Sequence, residues 1–249
     1  MPRFFVEKSN IRDGVVTVSG EDAHHISRAL RMAAGERITV CDAQGTDYLC
    51  VLTGFLPDRV LANVVETRPT ETEPPYRITL YQGLPKGDKL DSVIQKAVEC
   101  GVSRVVPFES ERCVARIGQG EGERQTKTAR RNRIAAEAAK QCGRGILPEV
   151  APAVPFRAVL GQAGQSDLAL FCYEGEGTEP LPRVLERVRK EGLPRTVALL
   201  VGSEGGFSPA EAEAARAAGW IPVGLGKRIL RTETAPVFAL AALCCGLEL

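Results

Sequence analysis

Two glycine-rich stretches near the end of the chain combine flexible backbone with charged side chains. The first, "LLVGSEGGFSPAE", surrounds Glu204 with Gly202, Gly205 and Gly206, and the second, "VGLGKRILRTETAP", ends in an Arg-Thr-Glu run. Glycine lets a backbone adopt conformations closed to other residues and approach a ligand closely. The pattern therefore predicts loops that bind a ligand through main-chain groups, with charged side chains beside it.

Part of the first stretch has a purely structural explanation. Ser208 before Pro209, with Glu211 three residues after the serine, predicts a capping box with proline at the first helical position. A strand-to-helix turn accounts for one of the preceding glycines. Three glycines together with Glu204 favour a binding loop.

Familiar phosphate and hydrolase motifs do not fit these loops. "GLGKRI" lacks the third glycine of a dinucleotide fingerprint, and neither "GLPKGDKL" nor "GLGKR" has Walker spacing. Val201 stands where a nucleophile elbow at Ser203 would need glycine. Main-chain groups and the apolar residues Leu225, Ile229 and Leu230 suit a ligand that contains an adenine, a ribose and an amino acid.

The elements that must position these loops change in character along the chain. Short β-like runs occupy the N-terminal part and predict a small β-barrel or sandwich, with one helix in "EDAHHISRALRMAAGE" that carries Ile26 and Leu30 on one face. The Pro-, Thr- and Glu-rich segment 65–76 predicts a boundary between domains 1–72 and 73–249. After it, strands alternate with helices, which predicts an α/β fold with a largely parallel sheet.

Composition narrows the possible functions. Net charge is +1, so a nucleic-acid site must come from clustered basic residues. The eight cysteines form no Cys-x-x-Cys pair and the two histidines are adjacent, so no metal site is predicted. No signal peptide or membrane span is recognisable, and we expect a cytoplasmic protein without membrane contact.

The motifs "RFF", "HISRALRMAAGE", "GLPKGDKLDSVIQKAVECGV", "ESERCVAR", "RIAAEAAKQCGR", "VGSEGGFSPAE" and "LGKRILRTETAP" follow one another along nearly the whole chain. Together they resemble the bacterial small-subunit (16S) ribosomal RNA uridine-N3 methyltransferases of the SPOUT (knotted) class. The resemblance implies a PUA-like β-barrel followed by an α/β domain with a deep trefoil knot. It also implies S-adenosylmethionine (SAM) as cofactor, 16S rRNA of the small ribosomal subunit as substrate, and a homodimer.

Transferred onto this chain, the resemblance implies cofactor loops at 171–174, 202–206 and 225–235. The residues predicted to bind the cofactor are Phe171, Tyr173, Glu174, Val201, Gly202, Glu204, Gly205, Gly206, Leu225, Gly226, Ile229, Leu230, Arg231, Thr234 and Ala235. From the small domain, the resemblance implies RNA contacts by Arg3, His24, Arg28 and Arg31.

Methylation at uracil N3 requires removal of the N3 proton and stabilisation of charge on O2 and O4. Arginine suits the second task, and we expect Arg231 to be catalytic, with Arg112 and Arg116 as further candidates. Glu233 or Glu204 could accept the proton, or could cap a helix and pair with arginine.

A basic helix from about Arg124 to Cys142 is either a solvated face or a surface for RNA phosphates. We predict RNA contacts by Arg116, Arg130, Arg131 and Arg144. The main alternative function is a non-catalytic RNA-binding ribosome-assembly factor, and a nucleotide-binding hydrolase is disfavoured by the failed motifs.

Overall fold

The computed structural model describes residues 1–249, which divide into two compact units. The first unit is Met1–Glu73 with Ala139–Leu147, and the second is Pro74–Ala138 with Pro148–Leu249. The boundary predicted from the sequence lies between 72 and 73, but that prediction did not include residues 139–147 in the first unit. None of the helices has the length and apolar character needed to span a membrane.

The first unit is built on a six-stranded sheet in the order β1-β4-β5-β6-β3-β2. Its strands are β1 (Arg3–Phe5), β2 (Ile11–Arg12), β3 (Val15–Ser19), β4 (Arg37–Cys41), β5 (Thr46–Phe55) and β6 (Arg59–Pro69). β1 pairs with β4 in parallel, and the other pairings are antiparallel. Val16 and Val18 of β3 are buried while their neighbours are not, which is the alternation expected of a half-buried strand.

The helix predicted over residues 21–36 is much shorter in the structure. α1 (Gly20–His24) passes into a π-helical turn at His25–Ala29, and the chain then turns away at Arg31, which has φ +51°. Ile26 is fully buried, but Leu30, predicted to share its face of the helix, is 41% exposed. The predicted shared face is wrong because the regular α-helix has already ended before Leu30.

The second unit contains an eight-stranded, fully parallel sheet in the order β10-β8-β7-β13-β11-β14-β12, with β9 beside β8. Its strands are β7 (Arg77–Gly83), β8 (Val102–Glu109), β9 (Glu149–Val150), β10 (Val154–Pro155), β11 (Leu168–Cys172), β12 (Glu179–Pro180), β13 (Thr196–Val201) and β14 (Ile221–Gly224). The predicted α/β alternation is confirmed.

Six helices accompany this sheet: α2 (Lys89–Glu99), α3 (Glu121–Cys142), α4 (Phe156–Leu160), α5 (Leu181–Glu191), α6 (Pro209–Ala217) and α7 (Ala235–Leu247). The apolar positions predicted for α2 are all buried: Leu90, Val93, Ile94, Ala97 and Val98. Gly101, predicted to end this helix, follows the C-cap residue Cys100 with φ +90°. Residues 121–138 of α3 belong to the second unit and 139–142 to the first.

An aromatic core lies against the central strands of the second unit. Phe171 and Phe207 meet edge to face with ring centroids 4.7 Å apart. Trp220, the single tryptophan of the chain, is 2% exposed, and its indole N–H donates to the carbonyl of Leu160 over 3.1 Å. Its ring contacts Tyr81 at 5.7 Å. This packing holds β7, β11 and β13 side by side, so that their carboxyl ends meet at one edge.

Candidate functional site

A cavity of about 490 Å³ lies at the carboxyl ends of β11, β13 and β14. The loop after β11 contributes residues between 172 and 178, the loop after β13 residues between 201 and 207, and the loop after β14 residues between 224 and 235. Lys89, at the start of α2, completes the lining. The loops at this edge of a parallel sheet are the usual ligand site of α/β proteins, and the volume suits a small molecule.

The loop after β13 is a tight turn whose shape depends on glycine. The N–H of Gly206 donates to the carbonyl of Ser203 over 3.0 Å, and Gly206 has φ +61°. A Cβ on Gly206 would lie 2.8 Å from Oε1 of Glu174, so the loops after β11 and β13 approach closely here. Immediately afterwards the predicted capping box of Ser208 and Glu211 is present, which confirms the helix start.

The end of β7 supports this loop from beneath. A Cβ on Gly83 would lie 2.5 Å from the backbone N of Ser203, so only glycine allows this approach. The fully buried Gln82 donates through Nε2 to the Gly202 carbonyl and to Oγ1 of Thr232, each at 3.1 Å. Oγ1 of Thr232 in turn donates to the Gly202 carbonyl over 2.9 Å. These bonds fix the loop after β14 to the loop after β13.

Lys89 joins two acidic residues at one end of the cavity. Its Nζ lies 2.8 Å from Oε1 of Glu204 and 3.7 Å from Oε2 of Glu233. The hydrogen bond with Glu204 raises the pKa of Lys89. Burial raises the pKa of Glu204, but the hydrogen bonds from Lys89 and from backbone N–H groups, including that of Lys86, outweigh it and lower the pKa. Both partners are therefore charged at neutral pH.

The Ser203 hydroxyl and the Cys172 thiol in the lining indicate which ligand and which chemistry the cavity suits. Oγ of Ser203 is buried and has no hydrogen-bond partner, so a polar atom of a ligand would restore a bond that is otherwise missing. Burial raises the pKa of the Cys172 thiol to about 12. This thiol stays protonated at neutral pH, and it is a poor nucleophile.

Arg231 is the cationic residue of the lining that was predicted from the sequence to be catalytic. Its side chain is exposed to the cavity, and its guanidinium makes no ion pair or hydrogen bond within the chain. An apolar wall stands beside it, formed by Val201, Phe207, Leu225 and Leu230. One site therefore combines an apolar surface with a cation that is free to bind a ligand.

Two family models match this chain. The model described as an RNA methyltransferase domain matches residues 72–244, which include the whole cavity lining, and the model described as an RNA methyltransferase PUA domain matches residues 18–63. The chain belongs to the RNA methyltransferase family.

Individual proteins of this family are similar over nearly the whole of this chain. Ribosomal RNA small subunit methyltransferase E of Bacillus subtilis is 34% identical, with 100% of this chain and 98% of the relative covered. The protein of the same name from Synechocystis is 33% identical, with 99% and 78% covered. A crystal structure of the Neisseria gonorrhoeae enzyme bound to S-adenosyl methionine has a TM-score of 0.84 at 32% identity, with 98% and 97% covered.

Most residues predicted to bind the cofactor line the cavity of this RNA methyltransferase. They are Tyr173, Glu174, Val201, Gly202, Glu204, Gly206, Leu225, Gly226, Ile229, Leu230, Arg231 and Ala235. Phe171, Gly205 and Thr234 do not. Phe171 is fully buried in the aromatic core beneath the loop. Gly205 faces Arg112 instead, and Thr234 donates its N–H to the Arg231 carbonyl at the start of α7.

Two of the three predicted catalytic residues lie outside the lining. Arg112 is exposed, and its Nη1 donates to the Gly205 carbonyl over 3.4 Å. Glu233 lies next to the cavity, within reach of Lys89 but not in its wall. Arg231 is therefore the predicted catalytic residue that this geometry places at the cavity.

The residues predicted one by one leave out nine members of the lining: Lys89, Cys172, Thr178, Ser203, Phe207, Gly224, Lys227, Arg228 and Thr232. Five of these lie inside the predicted loops 171–174, 202–206 and 225–235, and Phe207 and Gly224 directly flank a predicted loop. Thr178 lies four positions beyond the first loop. Lys89 is different, because it stands 115 residues before its partner Glu204. The motif "GLPKGDKL" contains Lys89 and belongs to the family resemblance, but neither that resemblance nor the rejected Walker spacing assigned Lys89 to the site.

Two arginines predicted to contact RNA are bound inside the first unit. The side chain of Arg144 is 3% exposed, and its guanidinium binds both carboxylate oxygens of Glu73, each at 2.8 Å. Arg3 is 11% exposed and forms an ion pair with both oxygens of Asp47. Because these guanidinium groups are already bound by carboxylates, we correct the prediction and remove both from the RNA-binding set.

The other predicted RNA contacts remain on the surface. His24, Arg28 and Arg31 are exposed in the first unit, and Arg116 and Arg130 are exposed in the second. Arg131 is half-buried on α3.

The structure contains no cluster of three or more His, Cys, Asp or Glu side chains arranged to hold a metal ion.

Proposed function

We propose that this chain is a SAM-dependent methyltransferase that methylates N3 of a uridine in 16S rRNA of the small ribosomal subunit. The observation that carries the proposal is the cavity at the carboxyl ends of the parallel strands, walled by the two glycine-rich loops and holding the free Arg231. The names of the relatives support the substrate class, and the SAM-bound structure from Neisseria gonorrhoeae supports the cofactor.

The residues of the cavity fit SAM. A volume of about 490 Å³ lies in the range of small-molecule sites. Leu225 and Leu230 offer apolar surface to an adenine face, the glycine loops offer main-chain groups to its edge, and Oγ of Ser203 lacks a partner. Glu174, exposed at the rim, offers a carboxylate to the hydroxyl or amino groups of the cofactor.

SAM supplies an electrophilic methyl group when it is bound, so the chain needs no covalent intermediate. Its residues must hold the uracil in line and manage the charge that develops on O2 and O4 when N3 loses its proton. Arg231 is suited to this, because its guanidinium donors have no other partner and stand at the apolar wall. Donors that are already in place lower the barrier without reorganisation during the reaction.

Glu233 is the better of the two candidates for the proton acceptor. Glu204 has a lowered pKa and is bound by Lys89 and by the Lys86 N–H, so it is a weak base with a structural task. Glu233 is held less tightly: its side chain is 27% exposed beside the cavity, its Oε2 accepts no hydrogen bond, and Lys89 lies 3.7 Å from that atom. We therefore assign proton removal to Glu233 and the positioning of the two carboxylates to Lys89.

The family resemblance supports three further parts of the proposal. We infer that the segment 225–234 takes part in a trefoil knot of SPOUT type, since Thr232 crosses to the ends of β7 and β13 before α7 begins. The first unit would be a PUA-like barrel that contacts RNA through His24, Arg28 and Arg31. The protein would work in the cytoplasm as a homodimer, and Phe238, 43% exposed on α7, is a candidate interface residue.

The decisive experiment incubates the protein with 16S rRNA and tritiated SAM. We expect label in the rRNA, and nucleoside analysis that finds it in 3-methyluridine. RNA binding without transfer would support the alternative, a non-catalytic assembly factor. ATP turnover in the absence of SAM would support the hydrolase. Label in another nucleoside would keep the methyltransferase and refute the N3 assignment.

A further inference from the structure

A second cavity, of about 200 Å³, lies in the α/β unit at the carboxyl ends of β7 and β8. Its walls come from the segment 84–91 after β7, the segment 115–118 after β8, and the face of α3 between 124 and 131. The segment 86–89 separates the two cavities. Lys89 lines the candidate SAM site, while Gly87, Asp88 and Leu90 line the second cavity.

The lining of the second cavity contains more cationic than acidic side chains. Its lining contains five cationic side chains, namely Arg116, Arg124, Lys127, Arg130 and Arg131, against the two carboxylates of Asp88 and Asp91. Three of the cations have partners: Arg130 pairs with Asp91, Arg116 with Glu109 and Lys127 with Glu123. The guanidinium groups of Arg124 and Arg131 have no ion pair or hydrogen bond within the chain.

Arg131 is the more informative of these two. It is half-buried, and desolvation lowers its pKa although Asp91 lies close enough to oppose that effect. A guanidinium withdrawn from water without a bound carboxylate is unfavourable, and an anion in the cavity would compensate it. The planar fork of arginine donors matches phosphate oxygens in particular.

Size and lining decide which anion the cavity fits. A volume of about 200 Å³ falls below the range of sites for whole small molecules. None of the lining residues is aromatic, so the cavity offers no surface on which a base would stack. Both features favour a single phosphate group rather than a nucleoside.

We propose that the second cavity binds one backbone phosphate of the RNA substrate, held by Arg131 and Arg124, next to the nucleotide that enters the SAM site. The inference rests on the proposed function, because it is RNA that brings the phosphate there. It adds a discrete site to a surface that otherwise attracts RNA by charge alone. The RNA strand would then be bound at two places, at this phosphate and at the target base, on either side of the segment 86–89. Two contacts would fix which base of the RNA enters the SAM site.

The test compares Arg131→Gln with Arg133→Gln. Arg133 lies two positions along the same helix, is exposed and does not line the cavity, so it is a matched control for charge. The affinity of each protein for 16S rRNA is measured at several salt concentrations. Loss of one phosphate contact lowers the slope of log affinity against log salt by about 0.7–0.9. We expect this change, with several-fold weaker binding, for Arg131→Gln and a smaller one for Arg133→Gln.

Two further variants separate loss of the phosphate contact from loss of the arginine fork. Arg124→Gln should resemble Arg131→Gln, and Arg131→Lys should restore the slope while leaving affinity below wild type, since it keeps the charge and loses the fork. Equal slopes for Arg131→Gln and Arg133→Gln would overturn the inference. Inorganic phosphate that binds at micromolar concentration in an Arg131-dependent way would overturn it too, by assigning the cavity to a free anion.

Failure of this inference differs from failure of the proposed function. Calorimetry with SAM and methyl transfer to 16S rRNA are measured on the same proteins. A wild type that transfers methyl groups while Arg131→Gln binds RNA with an unchanged slope refutes only the phosphate site. A wild type that shows the Arg131-dependent slope without any transfer refutes only the methyltransferase.

Discussion

Replacing Gly83 by alanine tests how the candidate SAM site is built. The added Cβ would lie 2.5 Å from the backbone N of Ser203 and 2.9 Å from the carbonyl carbon of Gly202. Non-bonded heavy atoms prefer about 3.5–4.0 Å, so the overlap is roughly 1 Å. Both neighbours are backbone atoms, and no side-chain rotation can relieve the contact. Either β7 or the loop after β13 must move.

The size of the effect follows from this overlap. Overpacking a well-filled interior costs about 1–3 kcal/mol, and a clash between backbones should fall in the upper part of that range. For a domain of this size, about 2–3 kcal/mol corresponds to a fall of about 4–12 °C in the unfolding midpoint. Displacement of Gly202 and Ser203 should also weaken SAM binding by about tenfold or more, or about 1.4 kcal/mol.

The assay measures thermal unfolding by circular dichroism, with and without SAM, and SAM affinity by calorimetry. Gly54→Ala is the control, because its Cβ would meet Leu61 at an ordinary 3.6 Å. We expect that variant to change stability by less than about 1 kcal/mol. If Gly83→Ala unfolds at the wild-type temperature and binds SAM normally, the contact between β7 and the loop does not shape the site, and the reasoning is refuted.

Four other predictions concern single residues. Arg231→Ala should abolish methyl transfer while calorimetry still detects SAM binding; unchanged turnover would remove it from the mechanism. Glu233→Gln should slow transfer and flatten the rise of the rate with pH, and an intact rate across pH would exclude a general base. Ser208→Ala should destabilise the protein by about 1 kcal/mol in urea unfolding through loss of the helix cap, and equal midpoints would argue against that cap. Burial raises the pKa of Glu73, but the bonds from Arg144 outweigh it and lower the pKa below the ordinary 4.5. The stability it contributes is therefore present above that value and lost as pH falls through the folded pKa. Glu73→Gln should be less stable at pH 7 by roughly 3–5 kcal/mol, with a smaller deficit at pH 3, whereas a constant deficit would contradict the linkage.

Local sequence signals predicted the second unit well. The apolar spacing of α2, its terminal Gly101 and the Ser208 capping box depend on residues within one or two turns, and the structure contains all of them. The same kind of signal failed for the helix around Ile26. Ser27 donates its hydroxyl to the Ala23 carbonyl there, and the regular helix gives way to a π-helical turn before Leu30.

Long-range pairs set the limit of sequence reasoning at the site. Lys89 joins Glu204 across 115 positions, and Arg144 binds Glu73 across 71. Neither pair leaves a periodic or compositional trace. In the sequence, a basic residue has the same surroundings whether its partner is an RNA phosphate or a distant carboxylate. The burial of Arg144 therefore reversed its assignment, while Arg231, named on the loop alone, lines the cavity and its catalytic role stays a prediction.

The position of Trp220 makes the fluorescence of this residue a probe of folding in the second unit. As the single tryptophan, buried against Tyr81 in the second unit, it confines tryptophan fluorescence to the unit that carries the candidate SAM site. A melting curve recorded by tryptophan emission follows that unit alone, while far-ultraviolet dichroism follows both. Wherever the two curves separate, the units unfold independently, and a ligand that delays only the emission change binds to the second unit.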